Sequence, residues 1–314
     1  MKVVEFHKAF EFPIYKDYET QIQDYKISKL RCDLIYEEGV KELGEAYRNN
    51  DMIEIIDAIC DTLYVIYGAG ITYNFNLDEQ IDILMDNFLI TREFNDTNYN
   101  LCEKLIKMKY NFTRDELGNI ITHGIISQNM YDIYKRKILN TKSYTDVNKY
   151  DLETCIINLY LIEHTIELIS SLEQRLRDAI QTNKNMNEFN SLLLNILIKV
   201  YELVYLINID LTYKKQKTFD VNSMFSIVHD SNMSKLCKSE EEAIKTVEFY
   251  EQKYKIYKNM CDMYGPKSTE AYDNYVPYDS PYYYSVGQNL FAVKNKSTGK
   301  ALKSINYTPV DLKY

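Results

Sequence analysis

The run from Leu34 to Gly68, LIYEEGVKELGEAYRNNDMIEIIDAICDTLYVIYG, reads as two apolar helical stretches that carry carboxylates on their core-facing sides. Glu38 and Glu42 lie four residues apart on the first. Glu54 and Asp57 lie three apart on the second, and residues at these spacings share a helix face. Asn49-Asn50-Asp51 between them is a turn, with Asp51 suited to cap the second helix. The chain must therefore accommodate a helical hairpin into which four acids converge. Acids on a face rich in Leu, Ile, Val and Tyr are almost never buried unless paired or bound to a cation. The constellation asks for a divalent metal, Mg²⁺ with Mn²⁺ as the alternative. Mg²⁺ takes oxygen ligands in octahedral geometry, commonly carboxylates together with substrate phosphates and water. Glu37, Glu45 and Asp61 form a second tier, fit to orient water or a second ion. The plain alternative is a solvated acidic helix in which Glu37 and Lys41 make an ordinary surface pair.

The remainder of the chain extends this helical reading. Among 314 residues there are 9 glycines, 5 prolines and no tryptophan, and 46% of the residues are hydrophobic. Long periodic stretches with few breakers predict an all-α helical bundle with a small irregular or hairpin C-terminal segment. Helices are expected over about 17–30, 31–48, 52–73 and 77–91, as several short elements within 100–150, and over 151–181, 186–211 and 239–263. Residues 1–16 read as short and mixed, 214–237 as weakly periodic and 265–285 as irregular. Phe291-Ala-Val-Lys and Ala301-Leu-Lys-Ser flank a turn and read as a hairpin. Three regions follow: 1–95 as the metal-binding helical domain, 96–215 as a further helical region, and 216–314 as a segment supplying phosphate contacts.

Composition excludes several roles. A net charge of −9 and a pI near 5.2 argue against wholesale nucleic-acid binding. Six scattered cysteines with no CxxC pair read as reduced thiols in a cytoplasmic protein, with no disulfide framework or zinc site. The start MKVVEFHKAFEF has no apolar signal core. The most apolar stretch, Leu192 to Leu211, is broken by Lys199 and Glu202 and reads as a buried helix, so no membrane partner is expected.

ELGEA, the ExxD at Glu54–Asp57, and DAICDTLYVIYG together resemble the all-α nucleoside-triphosphate pyrophosphohydrolases. That superfamily includes MazG, dimeric dUTPases and phosphoribosyl-ATP pyrophosphohydrolase, and the likeness is greatest to its phage- and virus-encoded members. A start resembling Glu5-Phe-His-Lys-Ala-Phe-Glu-Phe-Pro13, a late motif resembling His229-Asp-Ser-Asn-Met-Ser-Lys235, and a tail resembling Gly299-Lys-Ala-Leu-Lys303 and Asn306–Leu312 occur in the same order. The resemblance implies Mg²⁺-dependent cleavage of a (d)NTP or related nucleotide to monophosphate and pyrophosphate, in a viral protein of the host cytoplasm. Carried over by position, Glu54 and Asp57 are metal ligands. The first helix departs from the family's EExxE: Lys41 stands where the third acid belongs and Glu42 comes one later. A π-bulge is one device that restores the shared face, and such bulges favour functional sites. The alternative is an impaired site in a nucleotide-binding or interaction protein that keeps the fold.

The late motif offers an amide, hydroxyls and an ammonium within seven residues, a donor set suited to phosphate and base edges. With the resemblance, Asn232 and Lys235 are expected to bind substrate, and Lys300, Lys303 and Tyr307 to close over it. His229 is expected to be structural. Finally, Met52–Tyr64 can be laid over Met186–Ile198, matching Glu54 to Glu188, Asp57 to Ser191 and Asp61 to Asn195. This reads either as a degenerate second copy, giving an internal pseudo-dimer in place of a homodimer, or as the generic likeness of two apolar helices. A true copy requires helices near 151–181 and 186–211 to pack on the first pair with approximate two-fold symmetry.

Overall fold

A computed structural model of the chain describes residues 2–16, 22, 24–88, 128–139, 149–183, 185–264, 278–287 and 289–312. The chain divides into two compact units, one of Tyr15–Phe225 with the last residues from Leu312, the other of Met1–Ile14 with Ser226–Asp311. These cut across the three regions expected from sequence. The first residues join the C-terminal segment because Phe6, Phe10 and Phe12 pack with elements that lie late in the chain.

In the helical unit, α2 (Tyr25–Tyr36) begins at Asp24, whose carboxylate accepts from the amides of Lys26 and Ile27. A cap of this kind contributes about 1 kcal/mol. The helix continues through a π turn (Glu37–Glu42) into α3 (Leu43–Asn49) without interruption. One long run therefore replaces the two helices expected over 17–48. Asn50 closes α3 in the left-handed region, φ 54°. Asp51 then caps α4 (Met52–Thr72) by accepting from the amides of Ile53 and Glu54 at 3.1 and 3.2 Å. α5 (Leu77–Phe88) and α6 (Gln128–Leu139) follow. Most of the short elements expected within 100–150 lie outside the described residues.

A second long hairpin comprises α7 (Lys149–Asp178), a π turn (Ala179–Asn183) and α8 (Met186–Tyr213), the last capped by Asn185. α7 packs along α8, α2 and its π turn pack on α7, and α4 packs on α8. Ile35, Leu43, Ile59, Ile169, Leu176 and Leu193, drawn from both hairpins, are fully buried. Each such side chain contributes about 1.5–3 kcal/mol. Among the described residues, three helical stretches are long and apolar enough to cross a membrane: α4, Cys155–Thr182 and α8. For α4 and α8, 72% of the most apolar window is buried within the protein, and for Cys155–Thr182, 44%.

The other unit contains α1 (Lys2–Ala9), most of α9 (Val221–Met233), α10 (Glu240–Tyr264) and a two-stranded sheet. α1 and α9 are helices where sequence reads as mixed or weakly periodic. The strands are β1 (Pro281–Gly287) and β2 (Leu290–Asn295), antiparallel, with Tyr283 opposite Val293. The expected hairpin partner of β2, Ala301–Ser304, makes one isolated bridge to Lys294 instead. The turn that won lies at Gly287 (φ 95°) and Asn289 (φ 59°), both left-handed. That chemistry favours a tight reversal. Cys237, Ala243, Val293 and Leu302 form the buried core here, flanked by Tyr250, Tyr283 and Phe291.

Candidate active site

The first-helix acids sit on the π turn. Its hallmark is the amide of Leu43, which reaches back five residues to the carbonyl of Glu38. The extra residue in the EExxE pattern is thus absorbed by widening one helical turn, and Glu38 and Glu42 fall at the two ends of it. The flanking α-helix keeps its phase, so Ile35 and Leu43 both stay in the core. Glu37 and Lys41 form an ion pair across the turn at 2.8 Å, both side chains about half exposed. Hydrogen bonding to Glu37, then the nearby charges of Glu37, Glu45 and Glu42, raise the Lys41 pKa. The ammonium therefore lies within the field of the acidic group.

On α4 the acids form a stripe. At about 100° per residue, Glu54, Asp57 and Asp61 fall within about 60° of one another, on the least buried side of an otherwise dry helix. Glu54 is exposed, and Asp57 and Asp61 are partly buried. A Cβ added at Gly39 would lie 3.0 Å from Cγ2 of Thr62, so the backbone of the π turn runs against α4 at that residue. The two helices are antiparallel across a short turn, which sets Glu38 and Glu42 level with the Ala58–Thr62 stretch. Asp61 lies in that stretch and Asp57 just before it. Glu54 lies about two turns nearer the connection, at about 1.5 Å per residue. Asp61, only second-tier on sequence, thus belongs with the stripe; the signal that identifies it is the i, i+3, i+7 spacing from Glu54.

Cys60, beside this stripe, is not a nucleophile. Burial raises its thiol pKa, and the charges of Asp61 and Asp57 raise it further. The donor set itself is all carboxylate oxygen, the chemistry a hard cation such as Mg²⁺ prefers. Among the described residues, however, no three His, Cys, Asp or Glu side chains are drawn together closely enough to hold an ion. Glu42 and Glu54 are exposed, and Glu38, Asp57 and Asp61 are partly buried.

The lower part of α2 is braced from α7. Arg177 donates to Asp33 at 2.6 Å, to Glu173, and to the Cys32 carbonyl at 3.2 Å, and stacks over Tyr36. Burial pulls the Asp33 pKa up, but hydrogen bonds from Lys29 and Arg177 outweigh it and lower the value. Glu173, 2% exposed, goes the other way because burial exceeds the help from Arg177. Tyr47 on α3 is similarly tied to Glu163 on α7 at 3.2 Å. These contacts fix the helix that carries Glu38 and Glu42.

The expected substrate-binding residues fall in the other unit. Lys235 donates to the side-chain oxygen of Asn232 and sits over the Phe6 ring at 5.6 Å. Asn232 is largely buried. Tyr307 bonds Ser231 at 2.9 Å, and Ser231 and Ser234 both donate to the Thr308 carbonyl, so these hydroxyls fasten the tail onto α9. Lys303 is exposed and lies over the Tyr307 ring at 4.5 Å. Lys300 is exposed just after the turn that follows β2. His229 is buried, 3.6 Å from Glu5, and burial and Lys2 hold its pKa below the usual imidazole value. The start, the late motif and the tail noted in the sequence therefore meet within one unit.

Comparison with known proteins now bears on these geometries. Residues 3–88 match the family model described as phosphoribosyl-ATP pyrophosphohydrolase, which belongs to the MazG-like superfamily. The whole acidic hairpin lies inside that match, and the resemblance read from its residues is borne out there. Asn232, Lys235, Lys300, Lys303 and Tyr307 lie outside it. A protein of Acanthamoeba polyphaga mimivirus, described as uncharacterized, is 28% identical over 305 residues, spanning 96% of this chain and 89% of its own. No solved structure matches the chain.

Proposed function

We propose that this protein is a divalent-metal-dependent nucleotide pyrophosphohydrolase that cleaves a (d)NTP or related nucleotide between the α- and β-phosphates. The observation that carries this reading is the acid stripe of α4, level with a π turn that bears Glu38 and Glu42, inside the segment that matches the family. Glu38, Glu42, Asp57 and Asp61, with Glu54, would hold Mg²⁺. When bound, the ion supplies charge neutralisation at the polyphosphate and polarisation of the phosphoryl oxygen. A carboxylate of the stripe not engaged as a ligand accepts the proton of the attacking water. The bond that forms is water oxygen to phosphorus, and pyrophosphate leaves with the electron pair of the bridging oxygen. Lys41 lies close enough to the acids to balance their charge before substrate arrives. Lys235 and Asn232 are proposed to bind an anionic phosphate within their own unit, with Lys300, Lys303 and Tyr307 alongside.

The test is pyrophosphate release across dNTPs and NTPs with Mg²⁺, repeated in Glu54→Gln, Asp57→Asn and Asp61→Asn. Release that disappears in these variants while the unfolding temperature holds is the expected result. Unchanged release in all three would overturn the reading. A second reading, a catalytically impaired nucleotide binder, is motivated by the one-residue departure of Glu38 and Glu42 from EExxE. It predicts nucleotide-induced thermal stabilisation with no turnover.

A further inference from the structure

We infer that residues 149–213 are a second copy of the hairpin 25–72, acting inside one chain as the partner that completes its bundle, with the acids of the second copy blanked. The two hairpins correspond at a constant separation of 134 residues along α4 and α8. The caps Asp51 and Asn185 stand at that separation, and each accepts from the amides two and three residues on. The buried positions follow, as in Ile55 and Phe189, Ile59 and Leu193, Ile66 and Val200. The π turns, Glu37–Glu42 and Ala179–Asn183, do not stand at that separation.

The packing has the form of a two-fold. In an isologous contact, each element meets its own counterpart. Here α4 packs on α8, and α2 packs on α7. At the first seam Tyr67 and Tyr201, again 134 apart, bond hydroxyl to hydroxyl at 3.0 Å. At the second, Asp33 meets Arg177 and Tyr47 meets Glu163. The numbers rise on one helix as they fall on the other, which brings position 38 level with 172, also 134 apart. A pseudo-axis through both seams fits these pairs, and the Tyr67–Tyr201 bond joins equivalent positions directly.

The copies differ where the chemistry lies. Glu54 is kept as Glu188, but Asp57 becomes Ser191, Asp61 becomes Asn195, and position 38 becomes Leu172. The hairpin 149–213 therefore supplies packing and braces, and the chain carries a single acidic front. The blanking rests on the metal reading above; the duplication does not.

Two measurements test it on the full chain. Light scattering is expected to give a single-chain particle of 37.2 kDa. A two-chain particle overturns the inner-partner role whatever the metal does. Ser191 and Asn195 are exposed, so Ser191→Asp/Asn195→Asp rebuilds the stripe with Glu188 at low risk to folding. Mn²⁺ titration followed by calorimetry is expected to show a second, weaker binding event in this variant, because Leu172 stands where the first hairpin has Glu38. No second event, in a variant whose unfolding temperature is unchanged, overturns the correspondence. If the parent binds no Mn²⁺, the metal reading fails, and the particle mass alone decides the duplication.

Discussion

Gly39→Ala probes the contact that sets the acids of the π turn level with those of α4. An added Cβ would stand 3.0 Å from Cγ2 of Thr62 and 3.3 Å from its Oγ1, against about 3.5–4.0 Å for a comfortable carbon contact. Overpacking of this kind costs about 1–3 kcal/mol. Gly39 is helical, so alanine returns about 0.5–1 kcal/mol of backbone entropy. The net expectation is a loss of about 1 kcal/mol, or about 2–4 °C in the unfolding temperature of a unit this size. Thr62→Ser removes the closer carbon and leaves the hydroxyl, which bonds the Ala58 carbonyl at 2.6 Å. Alone it costs about 1 kcal/mol for the lost methyl. Together the two changes should cost less than their sum by about 1 kcal/mol, read by calorimetry as a double-mutant cycle. Additive costs would show that the π turn does not bear on α4 at Thr62, and the level assignment of Glu38 and Glu42 would fall with it.

Deleting Lys41 should convert the π turn to α-helix, since the Leu43 amide then reaches the Glu38 carbonyl over four residues. Helicity by circular dichroism and stability should hold to within about 1 kcal/mol, the lost Glu37 pair being a surface one. Arg177→Met leaves Glu173 buried without its cation and should cost about 3 kcal/mol at neutral pH. Asp33, with a lowered pKa, stabilises above its unfolded value and loses that contribution as pH falls through the folded one. Glu173, with a raised pKa, destabilises as pH rises. As pH falls from 8 to 5 only Glu173 takes up its proton, which relieves the unpaired buried charge of Arg177→Met, so the unfolding temperatures should converge; the Asp33 contribution is lost only below its ordinary carboxylate range, and a gap that widens between pH 8 and 5 refutes the brace. Tyr307→Phe removes one hydroxyl bond to Ser231 and should cost about 1 kcal/mol, seen as faster amide exchange in residues 304–310.

What sequence could reveal followed the range of each signal. Asp51 is legible because cap, turn and periodic helix lie within a few residues. The π turn is legible as a misfit, one residue too many between Glu38 and Glu42 on a helix whose phase Ile35 and Leu43 both require. Asp61 shares a face with Glu54 and Asp57 by spacing alone, but that it lies level with the π turn depends on the packing of Gly39 against Thr62, a contact between helices. The partner of β2 is misread because Ala301–Ser304 has the better local pattern, while Pro281–Gly287 wins through a left-handed turn at Gly287 and Asn289 and the packing of Tyr283 on Phe291. The fastening of Ser231 to Tyr307 spans 76 residues, beyond any local rule.

The placement of residues 2–14 in one unit with residues 226–311 has a consequence for the order of events during synthesis. Lys294 donates to the carbonyl of Phe10 across 284 residues. The phenylalanines of the first dozen residues leave the ribosome early, and their long-range contacts, Lys235 over Phe6 and Lys294 over Phe12, form only after most of the chain has followed. At about 5–20 residues per second, that is a wait on the order of 15–60 s with an aromatic cluster uncovered. The helical unit has little such delay, because all of it but the last residues from Leu312 is the contiguous stretch 15–225. Folding should therefore occur in two stages, with the discontinuous unit last, and it is the unit most exposed to capture by chaperones or by other chains while it waits.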